Sequence, residues 1–208
     1  MEKLDIYTLG HSNYSMERLI DMLNHFHINC VIDIRGTPYS KYNVHFDKEA
    51  IQYTLRKVGF TYIYMAEEFA AKRPNKISYN SEGYSDFEKV VKEEAFARGV
   101  ERITNGLKKG YRIVLLGAMQ DPIRCHRSIL VGRELEKLNF NVIHILDDYS
   151  TVNQRYIDQR VLDKYYPDRN QITIDYLLGE GMSEEEMIDE AYRLANREIG
   201  LRVENLGK

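Results

Sequence analysis

The stretch that decides the fold runs from residue 113 to residue 146, IVLLGAMQDPIRCHRSILVGRELEKLNFNVIHIL. Ile113-Val114-Leu115-Leu116 is a short apolar run without polar alternation, as suits a strand covered on both faces. Asp121-Pro122 then sets a capping side chain before a proline at the first helical position, and Val131, Leu135 and Leu138 supply the apolar stripe of the helix. Val142-Ile143-His144-Ile145-Leu146 reads as a second buried strand. Strand, helix and strand at this spacing make a parallel crossover.

The same alternation extends back to the start of the chain. Ile6-Tyr7-Thr8-Leu9, Val31-Ile32-Asp33-Ile34 and Tyr62-Ile63-Tyr64-Met65 are further buried strands. Ser15 caps a helix carrying Leu19, Leu23 and Phe26. Asp47 caps a second, with Ile51, Leu55 and Val58 inward and Gly59 as its stop. Ser85-Asp86-Phe87-Glu88 opens a third helical stretch that ends near Gly110. Five strands alternating with helices predict a Rossmann-like three-layer α/β fold with a mostly parallel five-stranded sheet. The strand order is not legible. Residues 1–148 form this core domain, and residues 149–208 a helical C-terminal extension in which Ser183-Glu184-Glu185-Glu186 is a capping box. Packing on the core, a small subdomain and homodimerisation are all open to that extension.

Composition narrows the function classes. In 208 residues, 29 Lys and Arg face 32 Asp and Glu for a net charge of −3, which argues against coating nucleic acid or an anionic membrane through bulk charge. No apolar run approaches the roughly 20 residues that span a bilayer, and the start MEKLDIYTLGHSN does not resemble a signal peptide, so a cytoplasmic protein without a membrane partner is expected. The two cysteines sit at opposite ends of parallel strands, Cys30 before one and Cys125 beyond another. That separates them by roughly 15 Å, past the reach of about 7 Å for a disulfide, so two free thiols are expected.

Ligands of open parallel sheets bind outside the carboxyl ends of the strands. Those ends carry His11 and Ser12 after the first strand, Asp33 and Arg35 at the second, and Cys125-His126-Arg127-Ser128 after the fourth. His11, Asp33 and Cys125 are the candidate catalytic residues; Ser12, Arg35, His126, Arg127 and Ser128 are the candidate substrate ligands. A helix N-terminus with adjacent arginines favours a bound anion and equally favours a thiolate. Cys125 is therefore a nucleophile with His126 or His11 as base, or a pocket wall. Asp33 is the one acid in its apolar run, which leaves a structural pair with Arg35 or Arg127 and a role in acid–base chemistry both open. His144 lies inside a strand and reads as a satisfied core histidine.

No Gly-x-Gly-x-x-Gly follows the first strand and no Walker loop is present, so neither motif implies a cofactor. A metal held by His11, Asp33, Cys125 and His126 is a weaker reading, because the chain has no His-Glu-x-x-His and no paired cysteine knuckle, and no metal ligand is assigned. The function expected is an enzyme, a hydrolase or transferase, acting on a phosphorylated or nucleotide-like anion. A second reading is a nucleic-acid module, with Tyr39, Lys41 and Tyr42, and Lys72, Arg73, Lys76, Tyr79 and Tyr84 of the long 66–84 connection, gripping a strand. A third is a non-catalytic small-ligand sensor.

These residues also carry a resemblance. Thr8-Leu9-Gly10-His11-Ser12-Asn13, Val31-Ile32-Asp33-Ile34-Arg35 with Pro38, Phe46, Gly59-Phe60-Thr61-Tyr62, Asp121-Pro122 with Cys125-His126-Arg127, and Val142-Ile143-His144-Ile145 together resemble the bacterial family catalogued as domain of unknown function 488. The resemblance spans about residues 6–146 and implies a compact α/β domain with a polar pocket and no established reaction. The chain departs from that pattern at Gly117, where such proteins often carry cysteine, and at Glu67-Glu68-Phe69-Ala70, where they often turn on Leu-Gly-Gly.

Overall fold

The computed structural model describes residues 3–169 and 181–202, so part of the 149–208 extension and the first residues of the 1–148 core lie outside the described residues. The strands are β1 (Leu4–Gly10), β2 (Cys30–Asp33), β3 (Thr61–Tyr64), β4 (Ile113–Gly117), β5 (Phe140–Ile145) and β6 (Thr151–Asn153), in the order β3-β2-β4-β1-β5-β6. The first five run parallel, and β6 returns antiparallel along β5. The architecture is the expected three-layer α/β fold, with one strand more than the apolar runs mark. Thr151-Val152-Asn153 is largely exposed at the sheet's edge, so no buried-strand pattern announces it.

Alternation along each strand splits the core in two. Val31, Val114 and Leu116 pack beneath the helices Met16–His25 and Lys48–Lys57, through Leu19, Leu23, Ile51 and Leu55. Ile32, Ile113 and Leu115 face the other way, onto Phe96 and Ile103 of the helix Glu94–Lys108. The tail joins this second face. Ile157 and Val161 of the helix Gln154–Tyr165, and Ala191, Tyr192 and Ala195 of the helix Glu184–Ile199, are buried in the same cluster.

This topology positions the site. The chain leaves β1 and β2 toward the first face and β4 toward the second, while β4 lies between β1 and β2. Connections therefore diverge on both sides of β4, and the crevice they open lies above the carboxyl ends of β1, β4 and β2.

Several local expectations are corrected. Asp47 precedes its helix, but its carboxylate accepts from Ser40 N at 2.9 Å rather than from the helix's own first turn. Asp86, not Ser85, caps the short helix Phe87–Val90, which stops before Glu94–Lys108 begins. The 66–84 connection contains the helical turn Ala66–Phe69 and the 3-10 turn Lys76–Ser78. Both cysteines are free and buried, and burial pushes the Cys30 thiol up to about 11. Among the described residues, no helix is long and apolar enough to cross a membrane.

Candidate functional site

The β2 end builds a fixed cation. Asp33 is wholly buried and its carboxylate accepts four hydrogen bonds. Oδ1 takes Arg35 N at 3.0 Å and Arg35 Nε at 2.9 Å; Oδ2 takes Arg35 Nη2 at 2.6 Å and the Tyr62 hydroxyl at 2.7 Å. Spacing of two along the chain leaving β2 makes this bidentate pair possible. Burial and the neighbouring carboxylate push the Tyr62 phenol far up, so it remains a donor. Arg35 Nη1 donates to His11 Nε2 at 3.0 Å. Three of the five guanidinium N–H groups are engaged in this way, and Arg35 lines the cavity.

His11 thereby acquires a defined state. Its Nδ1–H donates to Ser12 O at 2.8 Å, its Nε2 lone pair takes Arg35, and its ring stacks on Phe46 at 4.1 Å between centroids. Burial and then the Arg35 charge push its pKa down to about 4. The imidazole is neutral near pH 7 with both nitrogens engaged, a geometry that orients Arg35. Ser12 follows in the left-handed region at φ 47°, with its amide held by Ala118 O at 2.8 Å, and lines the cavity mouth.

The β4 end builds the thiol. Asp121 Oδ1 caps the 3-10 turn Pro122–Arg124 through Ile123 N at 3.3 Å. Cys125 then becomes extended, and its carbonyl accepts Ser128 N and Ile129 N at 3.2 Å as the next helical turn begins. Cys125 thus stands just ahead of a fresh helix N-terminus. That position favours a thiolate. The turn Arg127–Gly132 is π-helical and runs directly into the helix Arg133–Lys137.

Arg127 is not on the cavity surface. It is fully buried, its Nη1 donates to Met119 O, its Nη2 to Gln120 O at 2.8 Å, and its Nε has no partner. Among the described residues it has no carboxylate partner, so the alternative Asp33–Arg127 pair does not form. Ser128 is likewise buried, its hydroxyl donating to the carbonyls of Pro122 and Cys125. The structure therefore brings His11, Ser12, Arg35, Cys125 and His126 to one cavity of about 930 Å³, and sets Asp33, Arg127 and Ser128 behind its walls.

The buried guanidinium acts on the thiol. An unpaired charge inside a protein is costly unless a countercharge lies near. Burial alone would push the Cys125 thiol up; the Arg127 charge and a hydrogen bond with His126 overcome it and bring the pKa down to about 5. His126 Nε2–H donates to Ile34 O at 2.9 Å, and although burial lowers its pKa, the neighbouring thiolate raises it above the ordinary value. The favoured state is thiolate beside imidazolium.

This pair makes a prediction for stability. From about pH 5 to 6.5 the unfolded chain binds one proton more than the native pair, so stability rises with pH. Above about 6.5 the unfolded imidazole is neutral while native His126, raised above that value by the thiolate, still holds its proton, so both states hold one proton on the two groups and the rise levels off. The Tm difference between wild type and Cys125→Ser/His126→Gln should follow that plateau; a difference independent of pH would contradict the charged pair.

Two glycines make the junction possible. A side chain at Gly10 would place Cβ 1.8 Å from Met119 O and 2.8 Å from Arg127 Nη1. One at Gly117 would sit 2.8 Å from Cys125 Sγ and 3.2 Å from Arg127 Cδ. The position where the resembled family often carries cysteine thus lies directly against the thiol. The other departure, Glu67-Glu68-Phe69-Ala70, forms a helical turn that buries Phe69 and pairs Glu68 with Arg102, and Ala71 and Lys72 after it line the cavity.

Sequence reasoning missed three walls: Phe46, Tyr39 with Asn43, and Glu198, Ile199 and Leu201 from the tail. A residue brought from the far end of the chain leaves no local pattern near the site. Of the residues proposed to grip nucleic acid, Arg73 is buried against Glu93 and Tyr79 against the Arg73 backbone. Tyr39 and Tyr42 stay exposed. His144 is fully buried, bonded to Thr8 Oγ1 at 2.7 Å and Gln154 Oε1 at 2.8 Å, and burial and then Arg127 push it down to about 3. Among the described residues no group of three or more His, Cys, Asp or Glu is placed to hold a metal ion.

No curated protein and no solved structure matches the chain. A family match spans residues 15–133, which includes Asp33, Arg35 and Cys125 to Ser128 and leaves out His11, Ser12 and the tail. On that match, which covers more than half of the chain, the protein belongs to the family described as domain of unknown function DUF488.

Proposed function

We propose that the protein is a thiol-dependent hydrolase or transferase acting on a phosphorylated or nucleotide-like anionic substrate. One observation carries the reading: the Cys125 thiol lies between a buried guanidinium, without a carboxylate partner among the described residues, and a cavity lined by a second, fixed guanidinium. Arg35 presents its remaining N–H groups to the anion, and Lys72 and Arg124 add charge at the rim. The thiolate attacks the electrophilic centre, and the leaving group departs with its electron pair and takes a proton from His126. Water or an acceptor hydroxyl then releases the group from sulfur, returning its proton to His126. His11 and Asp33 hold Arg35 rather than move protons.

Thermal melting tests the anion site without an assay. Inorganic phosphate, sugar phosphates and nucleotides are compared on wild type and Lys72→Ala/Arg124→Ala. A ligand at 100 times its Kd that binds only the folded state adds about 2.7 kcal/mol. A phosphorylated compound should raise the wild-type Tm more than the variant's, and any turnover of it should vanish in Cys125→Ser. Stabilisation by oligonucleotides alone would move the reading to a nucleic-acid module. Stabilisation with no turnover of any bound compound would leave a sensor.

A further inference from the structure

Two anchors bracket Cys125, and both come from one helix of the tail. Arg160, on the helix Gln154–Tyr165, donates Nη1 to Asp121 Oδ1 at 2.8 Å and Nη2 to Asp121 Oδ2 at 3.0 Å. Gln154, fully buried at the start of the same helix, donates Nε2 to Ser128 O at 3.3 Å. One contact precedes the thiol by four residues and the other follows it by three. The fork-to-fork geometry fixes Asp121 in direction as well as position. Asp121 in turn caps the 3-10 turn that delivers Cys125 and lines the same cavity. The family match ends at residue 133, so the clamp is supplied by chain outside it.

We propose that Arg160 is a positioning residue of the thiol site, orienting the Asp121 turn and cancelling the Asp121 charge at the cavity floor. This rests on the reading of Cys125 as a thiolate nucleophile. The pair is about one-third exposed on each side, so it adds little to overall stability, and its effect is directed at the turn. Titratable and charged groups face the site from every element around it. Arg127 and His126 come from the start of the helical turn that follows it, with His144 behind them, and Asp121 and Arg124 from the preceding turn. Arg35 and His11 come from the strand ends, Lys72 from the 66–84 connection and Glu198 from the last helix. Glu198 is paired with Lys164 and Asp33 with Arg35, so removing Arg160 leaves Asp121 as the carboxylate whose partner has gone. A bare carboxylate facing the cavity disfavours the thiolate.

The test is the ultraviolet pH titration of the Cys125 thiolate in the full chain, with Cys125→Ser as baseline and the iodoacetamide pH profile as a second readout. Arg160→Ala should lower the apparent ionisation constant about three- to tenfold, the scale of one charge several Å away in a half-solvated site. Arg160→Lys should stay near wild type. Asp121→Asn/Arg160→Ala should return most of the way, because the stray charge is then absent. A midpoint in Arg160→Ala equal to wild type overturns the proposal, as does a double variant that matches the single one. A wild-type midpoint in the ordinary thiol range would instead refute the thiolate reading beneath it, and shows itself before any Arg160 variant is compared.

Discussion

Replacing Arg35 with methionine is expected to destabilise the protein by about 3–5 kcal/mol, because it strands a buried carboxylate. The Asp33 side chain is fully buried and that of Arg35 is 7% exposed. Without the guanidinium, Asp33 loses two of its four hydrogen bonds and the countercharge paired with it, keeping the Tyr62 hydroxyl and the Arg35 amide. His11 Nε2 loses its donor at the same time. Urea unfolding measures the loss. Asp33→Leu/Arg35→Met removes both charges together, and should cost far less than the sum of the single variants, since the large term is the unpaired ion rather than the missing attraction. A single-variant cost under about 1 kcal/mol would mean that Asp33 relaxes to solvent or takes up a proton at little expense.

The second large effect is on the thiol. Arg127→Met should move the Cys125 midpoint up from about 5 toward the ordinary thiol value of about 8.5, since burial then acts with its largest opponent removed while His126 still opposes it. The rate at one pH is a poor readout. Thiolate nucleophilicity falls with pKa, with a Brønsted slope of about 0.4–0.5, so a rarer but stronger thiolate can react at a similar rate. The midpoint of the full profile separates the two. The substitution also leaves the carbonyls of Met119 and Gln120 without their donors, so titration belongs well below the variant's Tm. A midpoint still near 5 would assign the countercharge to His126 instead.

Much of the fold was legible because strands and helices bury local patterns. Five apolar runs gave five strands in the right order of succession, and Ser15, Asp121 and Ser183 cap where their chemistry suggests. Period two at the end of β2 placed Asp33 and Arg35, two residues on, on one side before any pairing was known. The chemistry of the Cys125 to Ser128 run was visible as residue types after a strand, at a helix start.

What each of those side chains faces was decided only by the tertiary structure. Insertion of β4 between β1 and β2 creates the crevice, and strand order is a long-range choice that no local period encodes. Arg127 turns inward because carbonyls of the 119–120 loop and two glycines leave a slot of its shape, so a residue that reads as an anion ligand becomes a buried charge that acts on the thiol. The tail reaches the cavity and clamps Asp121 because burying Ile157, Val161 and Tyr192 on the second face carries Arg160 and Leu201 to the carboxyl edge of the sheet. Sequence determined which groups are available and on which element each one sits. Packing, which depends on which distant surfaces meet, decided which of them are exposed to a ligand and which are held behind the wall.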